Sequence, residues 1–298
     1  MTDQTLGAVS AGGANYRLGL MLVVASTIAW SLAGLFTRAI PLDAWTMLVW
    51  RGLFGGLGLL VVMALLGGQH SLRSFARLGA PGVAFAALGS AAMVCYITSL
   101  RLTTVAHSAT IYATLPFIAG GLAWLTLRER PSRGAVAASL AALCGVAVMV
   151  GLGVEGGLLG DLLSLGMTLL MAAIIVVART FKGIPTMAAA VLSALLSAAV
   201  ALPFSSALEV TGHDLGLLAL FGLINSALGL ALFTLGSRLL PPIETALLGA
   251  LDAPLAPIWV WLAFSETPGV ATVVGGGIVF AAVGAHIVRE ALARGGGA

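Results

Sequence analysis

Nine stretches of the chain, each 17 to 26 residues long, contain no Asp, Glu, Lys or Arg and consist mainly of aliphatic residues, Ala and Gly. They span 18–37, 52–69, 78–100, 102–127, 134–154, 162–178, 183–208, 215–237 and 267–288. A tenth stretch, 239–265, is equally apolar but holds Glu244 and Asp252. A helix needs about 20 apolar residues to cross the hydrocarbon of a bilayer, where every backbone amide must find its partner internally. Hydrophobic residues make up 60% of the chain and charged ones 8%, against roughly 25% charged in a soluble domain. Lipid is the expected solvent, and ten transmembrane helices are the expected architecture.

Composition excludes several classes. The formal charge of +3 comes from Arg residues scattered singly between apolar runs, unlike the basic stripe of a nucleic-acid binder. Cys95 and Cys144 each sit inside an apolar run, where they serve as small hydrophobes, so neither a disulfide framework nor a metal site is implied. The first run is longer than a signal-peptide core and no small-residue cleavage site follows it. No phosphate-cradling P-loop is present, and no cofactor is expected.

Lys and Arg in short loops set orientation. With ten crossings both termini share one side. That side collects Arg17, Arg73, Arg77, Arg128, Arg130, Arg133, Arg179, Lys182, Arg238, Arg289 and Arg294, while Arg38, Arg101 and a shallow Arg51 fall on the other. Both termini are therefore expected in the cytoplasm, in a multi-pass protein of the cell inner membrane.

Two segments match at an offset of 137 residues. Trp124-Leu125, Glu129 and Pro131 read W-L-x-x-x-E-x-P, as do Trp261-Leu262, Glu266 and Pro268. Upstream, Tyr96, Arg101-Leu102, His107, Ser108 and Ala109 correspond to Phe233, Arg238-Leu239, Glu244, Thr245 and Ala246. Two matches in register point to duplication. The repeat holds five helices, and an odd number enters the membrane upside down the second time. The expected division is a cytoplasmic tail 1–17, a first repeat 18–157, an inverted second repeat 158–289 and a cytoplasmic tail 290–298. Secondary transporters use inverted repeats to place a site near the midplane.

These halves, each closing on W-L-x-x-x-E-x-P, together with an Arg near the start of the second helix (Leu48-Val49-Trp50-Arg51), resemble the drug/metabolite transporter superfamily and its EamA-type exporters. Within it the chain is most similar to bacterial exporters of amino acids, the aromatic ones included. The resemblance implies a central cavity lined by helices 1, 3, 4, 6, 8 and 9, and efflux from the cytoplasm. It also implies an acid beside a proline in helix 9; here Asp252 and Pro254 stand one residue apart.

Asp252 is the acid expected at mid-membrane depth, where a carboxylate marks a functional path by default. It reads as an ammonium contact or proton carrier, or as a hydrogen-bonded acid holding a bent helix. Pro254 and Pro257 free helix carbonyls around it, and with Pro116 they are candidate hinges. Trp30, Tyr96 and Tyr112 lie inside helices 1, 3 and 4, away from the interfacial belts. They can stack on a ring or meet an ammonium group, or simply pack. Met93, Met167 and Met171 offer an adaptable wall. Asn225 and Ser226 lie mid-helix and need partners, in a neighbouring helix or in the cavity. His107 and Glu244 sit at helix starts on opposite faces, as gates, proton-coupling groups, caps or anchors. Arg51 is expected to snorkel towards the outer face, with binding of a carboxylate as the alternative. Gly52-xxx-Gly56 and Gly275-Gly276-Gly277 mark close helix contacts.

The expected function is a secondary transporter exporting small neutral or zwitterionic metabolites, foremost amino acids, by alternating access. Export of hydrophobic drugs or nucleosides is the alternative. A membrane-embedded enzyme would need a motif such as H-E-x-x-H, G-x-S-x-G or paired mid-membrane aspartates, none of which occurs. A channel would need a ring of charges or a backbone filter. With no Lys or Arg expected at the midplane, a strongly anionic substrate is disfavoured. Lipid and a small-molecule substrate are the expected partners. One chain suffices to enclose a cavity, and an oligomer is equally compatible with it.

Overall fold

The computed structural model describes residues 3–67, 69–128, 133–152, 156–240, 245, 248–249 and 251–295, and among them every regular element is helical. The helices are α1 (Asp3–Ser31), α2 (Ala33–Ala39), α3 (Ala44–Gly67), α4 (Gln69–Ala76), α5 (Gly79–Leu102), α6 (Val105–Tyr112) and α7 (Leu115–Leu127). After these come α8 (Arg133–Leu152), α9 (Leu158–Thr180), α10 (Thr186–Ala201), α11 (Gly212–Phe221), α12 (Gly229–Gly236), α13 (Asp252–Phe264) and α14 (Val270–Gly295). Among the described residues, seven helical segments are long and apolar enough to cross a membrane: Asn15–Ala39, Ala44–Leu66, Gly79–Leu102, Val105–Leu127, Leu158–Thr180, Thr186–Phe204 and Gly212–Gly236. Val136–Met149, Asp252–Phe264 and Val270–His286 are shorter apolar helices.

Two of the apolar runs are less regular than hydropathy implies. The run over 102–127 contains two helices, α6 and α7, separated at Ala113–Thr114. Pro116 explains the restart: it is tolerated in the first turn of α7 but would break a helix interior. The run over 215–237 contains a π-helical segment, Gly222–Leu228, between α11 and α12. Such segments leave backbone groups displaced and cluster at functional sites.

Local chemistry fixes the helix ends. Asp43 caps α3 through Oδ1, which accepts from the Trp45 and Thr46 N–H groups at 2.9 Å each, while Oδ2 accepts from Thr46 Oγ1 at 2.6 Å. Burial pushes the Asp43 carboxyl up, but these hydrogen bonds outweigh it and hold the group below its ordinary value. Thr104 caps α6 and Thr211 caps α11 in the same way.

Helices from before and after residue 157 interleave: α5 packs on α9, α10 on α3 and α5, α12 on α1, and α14 on α8. Small residues permit these approaches. A Cβ at Gly52 would lie 2.5 Å from the Ala194 carbonyl oxygen, and one at Gly275 would lie 2.4 Å from that of Gly145. Leu65, Leu125 and Val270 point outward, away from the core, as lipid-facing side chains do.

α7 and α13 are both 13 residues long and lie 137 positions apart. Each ends in a non-glycine residue in the left-handed region, Arg128 and Ser265, both at φ 56 and ψ 23.

Candidate functional site

A cavity of about 390 Å³ lies among α1, α3, α5, α6, α9, α10, the π segment, α12 and α13. It brings together Trp30, Met93, Tyr96, Tyr112, Met167, Met171, Asn225, Ser226 and Asp252. Small-molecule sites enclose roughly 300–1,000 Å³ with mostly apolar walls and a few polar groups. The Trp30 ring lies 5.1 Å from that of Phe233. Trp30 also passes so close to α12 that a Cβ at Gly229 would sit 2.5 Å from its Nε1.

Asp252 opens α13 and is half-buried on the cavity wall. Pro257 is inside α13, and Pro254 is half-buried two residues after Asp252. Glu244 lies outside the described residues.

Arg51 departs from the expectation of an outward-snorkelling side chain. It is only 4% exposed and lines the cavity. Its Nη2 donates to Asn225 Oδ1 at 2.9 Å, and its guanidinium carbon lies 5.0 Å from the centre of the Phe221 ring. Its Nε is buried without a hydrogen-bond partner among the described residues. Asn225 is held in turn, donating through Nδ2 to the Ala29 and Trp30 carbonyls at 3.2 and 3.0 Å. Thus Asn225 spends its amide on α1 and Arg51. The cavity therefore carries a cation, which removes the argument against anionic groups on the substrate. The sequence signal was the arginine itself, two turns inside an apolar helix.

Ser226 is among the residues expected at the site; the polar cavity-lining residues that sequence reasoning missed are Ser108, Thr186, Ser193, Ser197 and Thr234. They lie on the inner faces of helices whose rotation about their axes is set only by packing.

His107 is not among the cavity-lining residues. It is 1% exposed and packs behind the wall. Its Nδ1 lies 3.2 Å from both Asp161 carboxylate oxygens, and its Nε2 lies 3.0 Å from Thr272 Oγ1. Thr103 Oγ1 donates to Asp161 Oδ1 at 2.6 Å. The cluster thus ties α5 and α6 to α9 and α14. Asp161 escaped sequence reasoning because it stands just before a charge-free run, where a loop position is the simpler expectation.

The end of the cavity near the α5–α6 turn is blocked. Leu100, Val105, Ala256 and Val260 form a buried apolar cluster, with Tyr96 packed against it. Beyond it, Arg38 Nε donates to Glu266 Oε2 at 2.9 Å and Nη2 donates to Oε1 at 3.3 Å. The same guanidinium reaches the Leu100 and Thr103 carbonyls at 2.9 and 3.1 Å. Arg101 donates to the Ile40 and Leu42 carbonyls and fastens the neighbouring loop.

The comparisons with known proteins bear on the whole chain and on its first half. A crystal structure of a protein superposes with a TM-score of 0.66 at 18% sequence identity, covering 91% of this chain and 97% of the other. At that identity the likeness concerns the fold alone. A search of curated proteins finds no match. The model of the EamA-like transporter family matches residues 17–151, from the start of the first membrane-crossing segment through α8. The chain is thus a multi-pass membrane protein, all-helical among the described residues, whose residues 17–151 match the model of the EamA-like transporter family.

Proposed function

We propose that this chain is a secondary transporter of the inner membrane. It exports small neutral or zwitterionic metabolites, foremost amino acids including aromatic ones, by alternating access. The observation that carries the reading is the cavity walled by Trp30, Tyr96 and Tyr112, with Asp252 on the same wall. Aromatic faces suit an apolar side chain, and a lone carboxylate suits an ammonium group.

The architecture proposed for such transport is ten crossings, in which the three shorter apolar helices join the seven long ones. The repeats are 18–157 and an inverted 158–289, with cytoplasmic tails 1–17 and 290–298. The matched lengths and ends of α7 and α13 support this division. Cytoplasmic termini put the Arg38–Glu266 end outside, so this structure represents the state closed to the exterior. Asp252 is also the proposed proton carrier, with His107 and Glu244 as gating or coupling groups and Pro116, Pro254 and Pro257 as hinges.

Proteoliposomes loaded with labelled amino acids, nucleosides and hydrophobic cations, with and without a pH gradient, provide the test. Saturable flux of aromatic amino acids that weakens in Trp30→Ala is the expected result. Asp252→Asn should abolish the response to the gradient. Saturable flux of nucleosides or cations alone would replace the substrate assignment.

A further inference from the structure

Arg51 is a buried cation that the protein leaves unfinished. A guanidinium has five N–H donors and binds a carboxylate with two parallel bonds. Arg38 shows the completed arrangement, with Glu266 on its fork and two carbonyls on its remaining donors. Arg51 is more deeply buried, yet its one hydrogen-bond partner among the described residues is the neutral Asn225 oxygen, and its Nε has none. Arg38 meets Glu266 and the His107 ring meets Asp161, and neither contact involves Arg51. Removing an unpaired charge from water is costly, and the missing partner is one that a low-dielectric cavity rewards.

The surroundings are arranged to aim this group rather than to neutralise it. Asn225 is anchored on the backbone of α1 and holds one end of the fork, while the Phe221 ring supports the guanidinium. The π segment that carries Asn225 lies close against α3. A Cβ at Gly222 would come within 2.8 Å of the Arg51 carbonyl oxygen. On the same cavity stand Asp252 and Tyr96. One cavity therefore carries a fixed cation and a fixed carboxylate, neither in an ion pair among the described residues.

Resting on the transport reading above, we propose that Arg51, positioned by Asn225, is the carboxylate-binding residue of the cavity. The transported molecule must then carry a free carboxylate at one end. Its ammonium group faces Asp252 and its apolar body lies on Trp30 and Tyr112. Amines, amides and esters of the same skeleton lack the group that completes the Arg51 fork. An arginine that merely braced α3 against the π segment would make no such distinction.

The experiment uses reconstituted full-length protein and measures how well phenylalanine, its methyl ester, phenethylamine and phenylpropionate compete for phenylalanine transport. A charge-assisted bidentate pair predicts that the methyl ester and the amine compete about tenfold or more weakly than phenylalanine in the wild type. In Arg51→Gln, phenylalanine should weaken to the level of its ester while the ester is unchanged, and Arg51→Lys should recover part of the difference. Equal competition by acid and ester in the wild type, a comparison that needs no variant, overturns the role of Arg51 and leaves amino-acid export standing. Transport of nucleosides or hydrophobic cations, with no competition from any of the four compounds, overturns the export reading itself.

Discussion

Arg38 and Glu266, 228 positions apart, meet in a two-bonded ion pair at 2.9 and 3.3 Å across the blocked end of the cavity. The pair joins the end of the first membrane-crossing segment to the turn after α13. Both side chains are about a quarter exposed, at 23% and 29%, and pairs with such access to water contribute about 0.2–1 kcal/mol. Glu266→Gln should therefore raise the population open at this end by up to about fivefold. The readout is maleimide labelling of Val105→Cys in a background lacking Cys95 and Cys144. Labelling no faster than in the Glu266 parent would show that the apolar cluster alone holds this end shut.

The buried cluster around His107 should matter more for stability than any exposed pair. Asp161→Ala would leave the His107 ring nitrogen and the Thr103 hydroxyl without their acceptor. Each buried polar group stranded in this way costs about 1–3 kcal/mol. The melting temperature of the detergent-purified protein should fall clearly, and less so for Asp161→Asn, which keeps one acceptor oxygen. Unchanged melting in Asp161→Ala would mean that water replaces the carboxylate.

Gly229 constrains Trp30, a residue of the cavity wall, from behind. Its missing Cβ makes room for the Trp30 indole, and any side chain there must displace the ring. Gly229→Val should reduce transport strongly while the protein still elutes as a single species, and Gly229→Ala should reduce it less. Full transport by Gly229→Val would show that Trp30 does not shape the site.

Arg128 and Ser265 adopt the left-handed backbone that disfavours side chains. For non-glycine residues this costs about 1–2 kcal/mol, and glycine's greater freedom in the unfolded chain offsets part of the relief. Arg128→Gly and Ser265→Gly should each raise the melting temperature slightly, by less than about 1 kcal/mol of net stability. A β-branched residue resists this conformation most, so Ser265→Val should lower it. Equal melting of the Gly and Val variants would place the helix end elsewhere in solution.

Much of this molecule is legible from residue types alone. Long charge-free runs leave the backbone no option but helices, and the two W-L dipeptides of the matching segments fall near the ends of two helices of equal length, α7 and α13. Trp30, Tyr96 and Tyr112 stood out as aromatics away from the interfacial belts and Asp252 as an acid inside an apolar run, and the structure lines one cavity with all four. Three things depended on the tertiary structure. Arg51 is an exterior anchor or a cavity cation according to how α3 is rotated, and that rotation is set by its packing on α10 and the π segment. Asp161 is a loop acid until α9 packs against α5 and α6 and delivers it to His107. Glu266 belongs to a repeated motif, but only the folded chain brings it to Arg38. Hydropathy is a property of single residues and determines which segments enter the membrane. A guanidinium's partner depends on distances between helices far apart in sequence, which packing alone decides.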